Sequence, residues 1–126
     1  MQPKFDLNKI IAAFEDAPFI GKVELLLSDE VEKRGFYKLR CVLVPSRYKL
    51  DIKFIKTEKE LIYSYQLYAD EAIARWDNEP HYPDLTNFPH QYHRKGKVIA
   101  SALSGRPIQD IRKLLSVILE LLEGGA

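Results

Sequence analysis

The sequence predicts an α+β fold: a curved antiparallel β-meander of five to six strands, packed by an N-terminal and a C-terminal helix. Three observations carry this. Between Lys22 and Asp77 apolar residues recur at every second position in five successive runs joined by short polar links. At each end of the chain they recur instead at three- and four-residue spacing, the period of a helix with one buried face. The length of 126 residues suits one α+β domain, residues 1–126, with an ordinary hydrophobic core.

The elements follow in order. Asp6 precedes LNKIIAAF, where Leu7, Ile10, Ile11 and Phe14 share a face and Asp6 can cap the first turn. Pro18 ends this helix. The strand runs are VELLLSD, FYKLRCVLV after a Gly35 turn, YKLDIKFIK after Pro45-Ser46-Arg47, LIYSYQLY and EAIARWD. Such short links make consecutive strands antiparallel neighbours. In the third run Tyr48, Leu50, Ile52 and Phe54 alternate with Lys49, Asp51 and Lys53, giving one dry and one wet face. The fourth is apolar on both faces, through Leu61, Tyr63, Tyr65 and Leu67 on one and Ile62 and Tyr68 on the other, as a central strand would be. KVIASAL can add a sixth strand. Pro107 opens the last helix, in which Ile108, Ile111, Leu114, Leu115, Ile118, Leu121 and Leu122 form a stripe broad enough to cover a sheet, and Gly124-Gly125 stops it.

Composition narrows the function classes. A net charge of +1 gives no global argument for nucleic acid, but residues 1–32 carry seven acids against three bases, whereas residues 33–126 carry sixteen bases against eleven acids. No apolar run approaches the ~20 residues of a membrane span. The N-terminus shows no secretory pattern, so a cytoplasmic location is expected. Cys41, the single cysteine, sits in an alternating apolar run and reads as a buried small hydrophobe. There is no Gly-rich phosphate loop, serine elbow or nucleotide-binding fingerprint.

One segment does not read as scaffold. Residues 75–97, RWDNEPHYPDLTNFPHQYHRKGK, hold all three histidines and three of the seven prolines. Prolines fix φ and remove backbone donors, so neither a helix nor a central strand is expected to run through it. Loops longer than about 12–15 residues in a compact domain are functional or disordered, and Trp76, Tyr82, Phe88 and Tyr92 make this one too aromatic for disorder. On a strand, Arg75 and Asp77 point to the same face, pairing a cation with a carboxylate at the mouth of the histidine segment.

Three readings fit these residues. Imidazole accepts and returns protons near neutrality, so His81, His90 and His93 can share acid and base roles in metal-free phosphodiester cleavage. Asp77 would then orient a ring, Arg75 and Arg94 would stabilise charge on phosphorus, and Lys95, Lys97 and Asn78 would bind the substrate. Trp76, Tyr82 and Tyr92 can stack unpaired bases. In the second reading His81, His90, His93 and Asp77 ligate a divalent metal such as zinc in a metal-dependent hydrolase. In the third the loop is a non-catalytic protein- or nucleic-acid-binding module that holds a partner or a second copy of the chain in a homodimer.

The motifs Tyr63-x-Tyr65, Arg75-Trp76-Asp77-Asn78, Pro80-His81 and Phe88-Pro89-His90 with His93, followed by an amphipathic helix, resemble those of the TumE toxin family of type II toxin–antitoxin systems. The family pattern is similar to RxDNxPHH followed by a TFPHHKH-type run, and the agreement covers about residues 60–122. Tyr82 and Gln91 stand where the family often has further histidines, and Asn87 where it has threonine. The resemblance implies a cytoplasmic growth-inhibiting toxin that acts on RNA, and together with the histidine reading it makes a metal-independent endoribonuclease without a cofactor the leading expectation. It also implies neutralisation by an antitoxin with a helix-turn-helix DNA-binding domain, and no membrane partner.

Overall fold

The computed structural model describes residues 5–124. The elements are α1 (Leu7–Glu15), β1 (Ile20–Val31), β2 (Arg34–Leu43), β3 (Lys49–Lys56), β4 (Leu61–Tyr68), β5 (Ala72–Asp77), β6 (Gln91–Arg94), β7 (Lys97–Ala100) and α2 (Pro107–Glu123). The strands form one antiparallel sheet in chain order, with β4 at its centre. The α+β class and the two covering helices match the expectation, but the sheet has seven strands, not five to six. The additional strand is β6, inside the proline-rich segment. The last proline there is Pro89, so nothing in residues 91–94 denies the sheet a donor.

Alternation in the strands decides which face the helices cover. Leu39, Cys41, Leu50, Ile52, Phe54, Tyr63, Tyr65, Leu67 and Trp76 join Ile10 and Phe14 of α1 and Ile111, Leu114 and Ile118 of α2 in a single core. Burial pushes the Cys41 thiol up to about 12, which keeps it un-ionised and fits a packing role. Lys38, Arg40, Asp51, Lys53, Ser64 and Gln66 occupy the alternate positions, on a face that carries no helix.

Local expectations held at most boundaries. Asp6 Oδ1 accepts the Lys9 amide (3.1 Å), and Pro107 lies in the first turn of α2. Four differ. The first helix ends at Glu15, before Pro18. Glu32 and Lys33 make the first turn, Glu32 with φ 55°, while Gly35 lies within β2, where a Cβ would collide with the Tyr37 ring. Ile108 of the stripe is exposed, whereas Ile111, Leu114 and Ile118 are buried. Gly124 caps α2, and Gly125 lies outside the described residues.

Candidate functional site

The site is assembled by two neighbouring strands, β5 and β6, and by the loop between them. The register opposes Arg75 to His93 and Asp77 to Gln91, which puts these four side chains on the helix-free face. Trp76 and Tyr92, opposed in the same way, face the helix side. Asp77 is the last residue of β5, and its Oδ1 accepts the Glu79 amide (3.0 Å), turning the chain out of the sheet.

Asp77 is 1% exposed, and four groups converge on its carboxylate. Arg75 Nε donates to Oδ2 at 2.9 Å, Gln91 Nε2 donates to Oδ1 at 2.6 Å, and the Glu79 amide completes the bonding of Oδ1. His93 Nε2 lies 3.0 Å from Oδ2, within ion-pair reach. The same nitrogen is buried and its angle to the carboxylate falls outside hydrogen-bond geometry, so the contact is electrostatic in kind. The His93 side chain is 31% exposed, and its Nδ1 has no protein partner among the described residues.

The loop extends this cluster. Glu79 reaches Arg75 Nη2 (3.5 Å) and His81 Nε2 (3.3 Å), so His81, Glu79, Arg75, Asp77 and His93 form a chain of successive charge contacts. His81 is 66% exposed. The Tyr82 ring stands edge-on to His93 with centroids 6.3 Å apart.

The third histidine is elsewhere. His90 Nδ1 lies 2.7 Å from the hydroxyl of Tyr63, a core residue on the helix side, and the two rings stack at 5.8 Å. Burial lowers the pKa of His90, against the opposing field of Asp110, and burial also raises that of Tyr63. Both shifts favour the neutral forms, and the imidazole tautomer sets which of the two groups donates across this contact. His90 borders a cavity of about 240 Å³ with Lys56, Asn78, Ser104 and Gly105. A Cβ on Gly105 (φ 87°) would stand 3.3 Å from the imidazole.

The predicted residues therefore divide. Arg75, Asp77, His93, His81 and Tyr82 are linked on the helix-free face, and His90 is separated from them by the sheet. Asn78 is committed to scaffold: its Oδ1 accepts the Tyr63 amide (2.9 Å) and its Nδ2 donates to the Leu61 carbonyl (2.8 Å), prolonging the edge of β4. Trp76 is 4% exposed and stacks on Tyr92 at 4.9 Å, so it presents no free ring to a base. Arg94 alternates away from His93, and its Nη1 is buried without a partner. Lys97 opposes it, and Lys95-Gly96, with φ 51° and 75°, form the tip of a type I′ hairpin. Asn87 (φ 65°) holds the loop to the segment before α2 through the Ser101 and Leu103 carbonyls (2.6 and 3.0 Å). Among the described residues no three His, Cys, Asp or Glu side chains converge as metal ligands, so His81, His90, His93 and Asp77 do not form the alternative zinc set.

Sequence reasoning missed Gln91 and the β6–β7 hairpin. The signal was present: two four-residue runs, QYHR and KVIA, flank a two-residue Lys-Gly turn. Gln91 Nε2 supplies a donor to the buried Asp77 carboxylate from the neighbouring strand. No helix among the described residues is long and apolar enough to cross a membrane.

The family model described as Toxin TumE matches residues 12–124. No curated protein and no solved structure matches. The match spans every strand and the histidine segment as well as α2, so the chain belongs to the TumE family and is the toxin of a toxin–antitoxin system.

Proposed function

We propose that the toxin cleaves RNA as a metal-independent endoribonuclease centred on His93. The observation that carries this reading is the buried Asp77 carboxylate 3.0 Å from His93 Nε2, with the other ring nitrogen left without a protein partner. A carboxylate beside an imidazole stabilises the cation formed when the ring takes a proton. His93 Nδ1 accepts the proton of a ribose 2′-hydroxyl, whose oxygen attacks the adjacent phosphorus. The bond to the 5′ oxygen breaks, and that oxygen takes a proton from the imidazolium of His81. The products are a 2′,3′-cyclic phosphate and a 5′-hydroxyl. Arg75, held by Asp77 through Nε, turns its remaining donors toward the charge that builds on the phosphoryl oxygens. His90, assigned to the reaction by the sequence, supports the loop instead.

The partner is a cognate antitoxin, which we infer carries a helix-turn-helix DNA-binding domain. The long edge strand β1 exposes Leu25, Leu26, Leu27 and Val31, a surface suited to such a protein and the specific support for a binding role besides chemistry.

The test is cleavage of RNA in chelator by purified toxin, with mapping of the product ends. His93→Ala is expected to lose both cleavage and toxicity while keeping its unfolding midpoint, and His90→Gln to retain cleavage. A folded His93→Ala protein that cuts RNA at the wild-type rate rejects the assignment.

A further inference from the structure

A second feature of the helix-free face lies beyond Asp77 and His93. In the register, Lys38 of β2 stands directly opposite Lys53 of β3, Lys53 opposite Ser64, and Ser64 opposite Asp77, so one row of side chains crosses four strands and ends at the buried carboxylate. The next row, Arg40, Asp51, Gln66, Arg75 and His93, runs beside it.

The charges in the two rows are treated differently. Arg40 is neutralised by Asp51 through two hydrogen bonds (2.8 and 3.1 Å), and Asp51 also accepts the Tyr68 hydroxyl (2.9 Å). Arg75 is neutralised by Asp77 and Glu79. Lys38 and Lys53 are exposed and make no ion pair or hydrogen bond among the described residues, although the positive field of Lys38 reaches Asp51. Directly opposed side chains on antiparallel strands have Cβ atoms about 5 Å apart, and like charges so placed repel. A sheet that sets two unpaired cations side by side gives up stability unless an anion joins them.

That anion has a route to the reactive cluster. A groove of about 180 Å³ on this face is lined by Lys38, Lys53, Asp51, Ser64, Gln66 and Arg75, among others. It leads from the lysine pair to the guanidinium that touches Asp77. At roughly 4.8 Å between strands, Lys53 and Asp77 stand about 10 Å apart across the sheet, so a chain of phosphates can contact the lysines while one of its members reaches His93. At the far end the Tyr82 ring, 42% exposed, offers a face on which an unpaired base can stack.

We propose that Lys38 and Lys53 form the phosphate-binding track for single-stranded RNA entering the His93 site. The assignment rests on the ribonuclease reading for its substrate, but its test reads binding and not cleavage. The probe is a short fluorescein-labelled single-stranded RNA titrated by anisotropy against toxin carrying His93→Ala, which keeps the RNA whole, over a range of salt concentrations. Adding Lys38→Gln and Lys53→Gln is expected to weaken binding roughly tenfold at low salt and to reduce the log–log salt slope by about 1.4, the loss of two phosphate contacts at ~0.7 each.

Unchanged affinity and slope in the lysine variant overturn the track, as does absence of binding by the His93→Ala parent. Equal, lysine-dependent binding of duplex RNA or of polyglutamate overturns the assignment to a single strand of RNA. Lysine-dependent binding by a wild-type toxin that does not cut RNA supports the track and removes the ribonuclease reading, so the two failures are distinguishable.

Discussion

His93 Nε2 and Asp77 Oδ2 are 3.0 Å apart, and the carboxylate is already engaged by Arg75, Gln91 and the Glu79 amide. Asp77 therefore has two jobs: to hold the exit of β5 and to set the charge behind the imidazole. Asp77→Asn separates them. The amide keeps the size and one acceptor oxygen, but its nitrogen cannot accept from Arg75 or balance a protonated ring. It is expected to lower cleavage by about 10²–10⁴-fold with only a modest fall in the urea midpoint. Asp77→Ala should also destabilise, by about 1–3 kcal/mol for each buried donor left unpaired. Wild-type cleavage by a folded Asp77→Asn protein would remove the carboxylate from the mechanism.

The division of labour among the histidines makes the next prediction. Replacing His81 by Ala should reduce cleavage without changing stability, because its ring is exposed and its one polar side-chain contact among the described residues is with Glu79. A pH–rate profile checks the role: loss of one limb in His81→Ala is expected if it supplies the leaving-group proton. An unchanged two-limbed profile would assign that proton to another group.

The meander was legible because β2 and β3 alternate cleanly and the links between the strand runs are short, and alternation is a property of consecutive residues. Leu50, Ile52 and Phe54 announce their common face without reference to anything distant. The pairing of Arg75 with Asp77 was legible for the same reason, at i and i+2 on one strand. The histidines were not. Which face each occupies depends on where β6 begins, and the prolines concealed that strand by making the whole segment read as loop. With β6 starting at Gln91, His93 alternates onto the helix-free face, whereas His90 precedes the strand and is drawn to Tyr63 on the other side. The lysine row was equally invisible, because residues 38 and 53 become neighbours only through pairing.

The surroundings of His90 lead to a pH dependence of stability. Burial lowers its pKa in the folded protein from an ordinary 6.5, despite the opposing field of Asp110. Above the unfolded value neither state binds the proton, and stability is complete. As the pH falls through the unfolded value, the unfolded chain takes up a proton that the folded one refuses, so stability declines until the folded value is passed. Urea midpoints between about pH 7.5 and about pH 5 should fall in the wild type and fall less in His90→Gln. Parallel curves for the two proteins would show that His90 titrates normally.

Tyr63 hydrogen-bonds that ring, and its hydroxyl is the only polar atom of a side chain otherwise given to the core. Tyr63→Phe leaves the packing intact and removes the hydroxyl that hydrogen-bonds His90 Nδ1. It is expected to cost about 1 kcal/mol and to loosen residues 78–90, read as faster amide exchange at the His90 amide, which donates to the Asn87 carbonyl, and at the Ser101 amide, which donates to the His90 carbonyl. No change in either readout would mean that the hydrogen bond adds nothing to the hold on the loop.

Trp76 provides an internal control on the proposed RNA-binding face. It is the single tryptophan, it is 4% exposed, and it lies on the helix side, stacked on Tyr92. Its emission should be blue-shifted and resist quenching by acrylamide, as a ring removed from water requires. The helix-free face carries His93 and the lysines, and the sheet itself separates them from this indole. Addition of RNA is therefore expected to leave the position and intensity of the emission unchanged while anisotropy of a labelled strand reports binding. Quenching of Trp76 by RNA at concentrations that saturate that binding would place the nucleic acid on the helix side, against Tyr92 and Arg94, and would move the substrate site to the opposite face of the sheet.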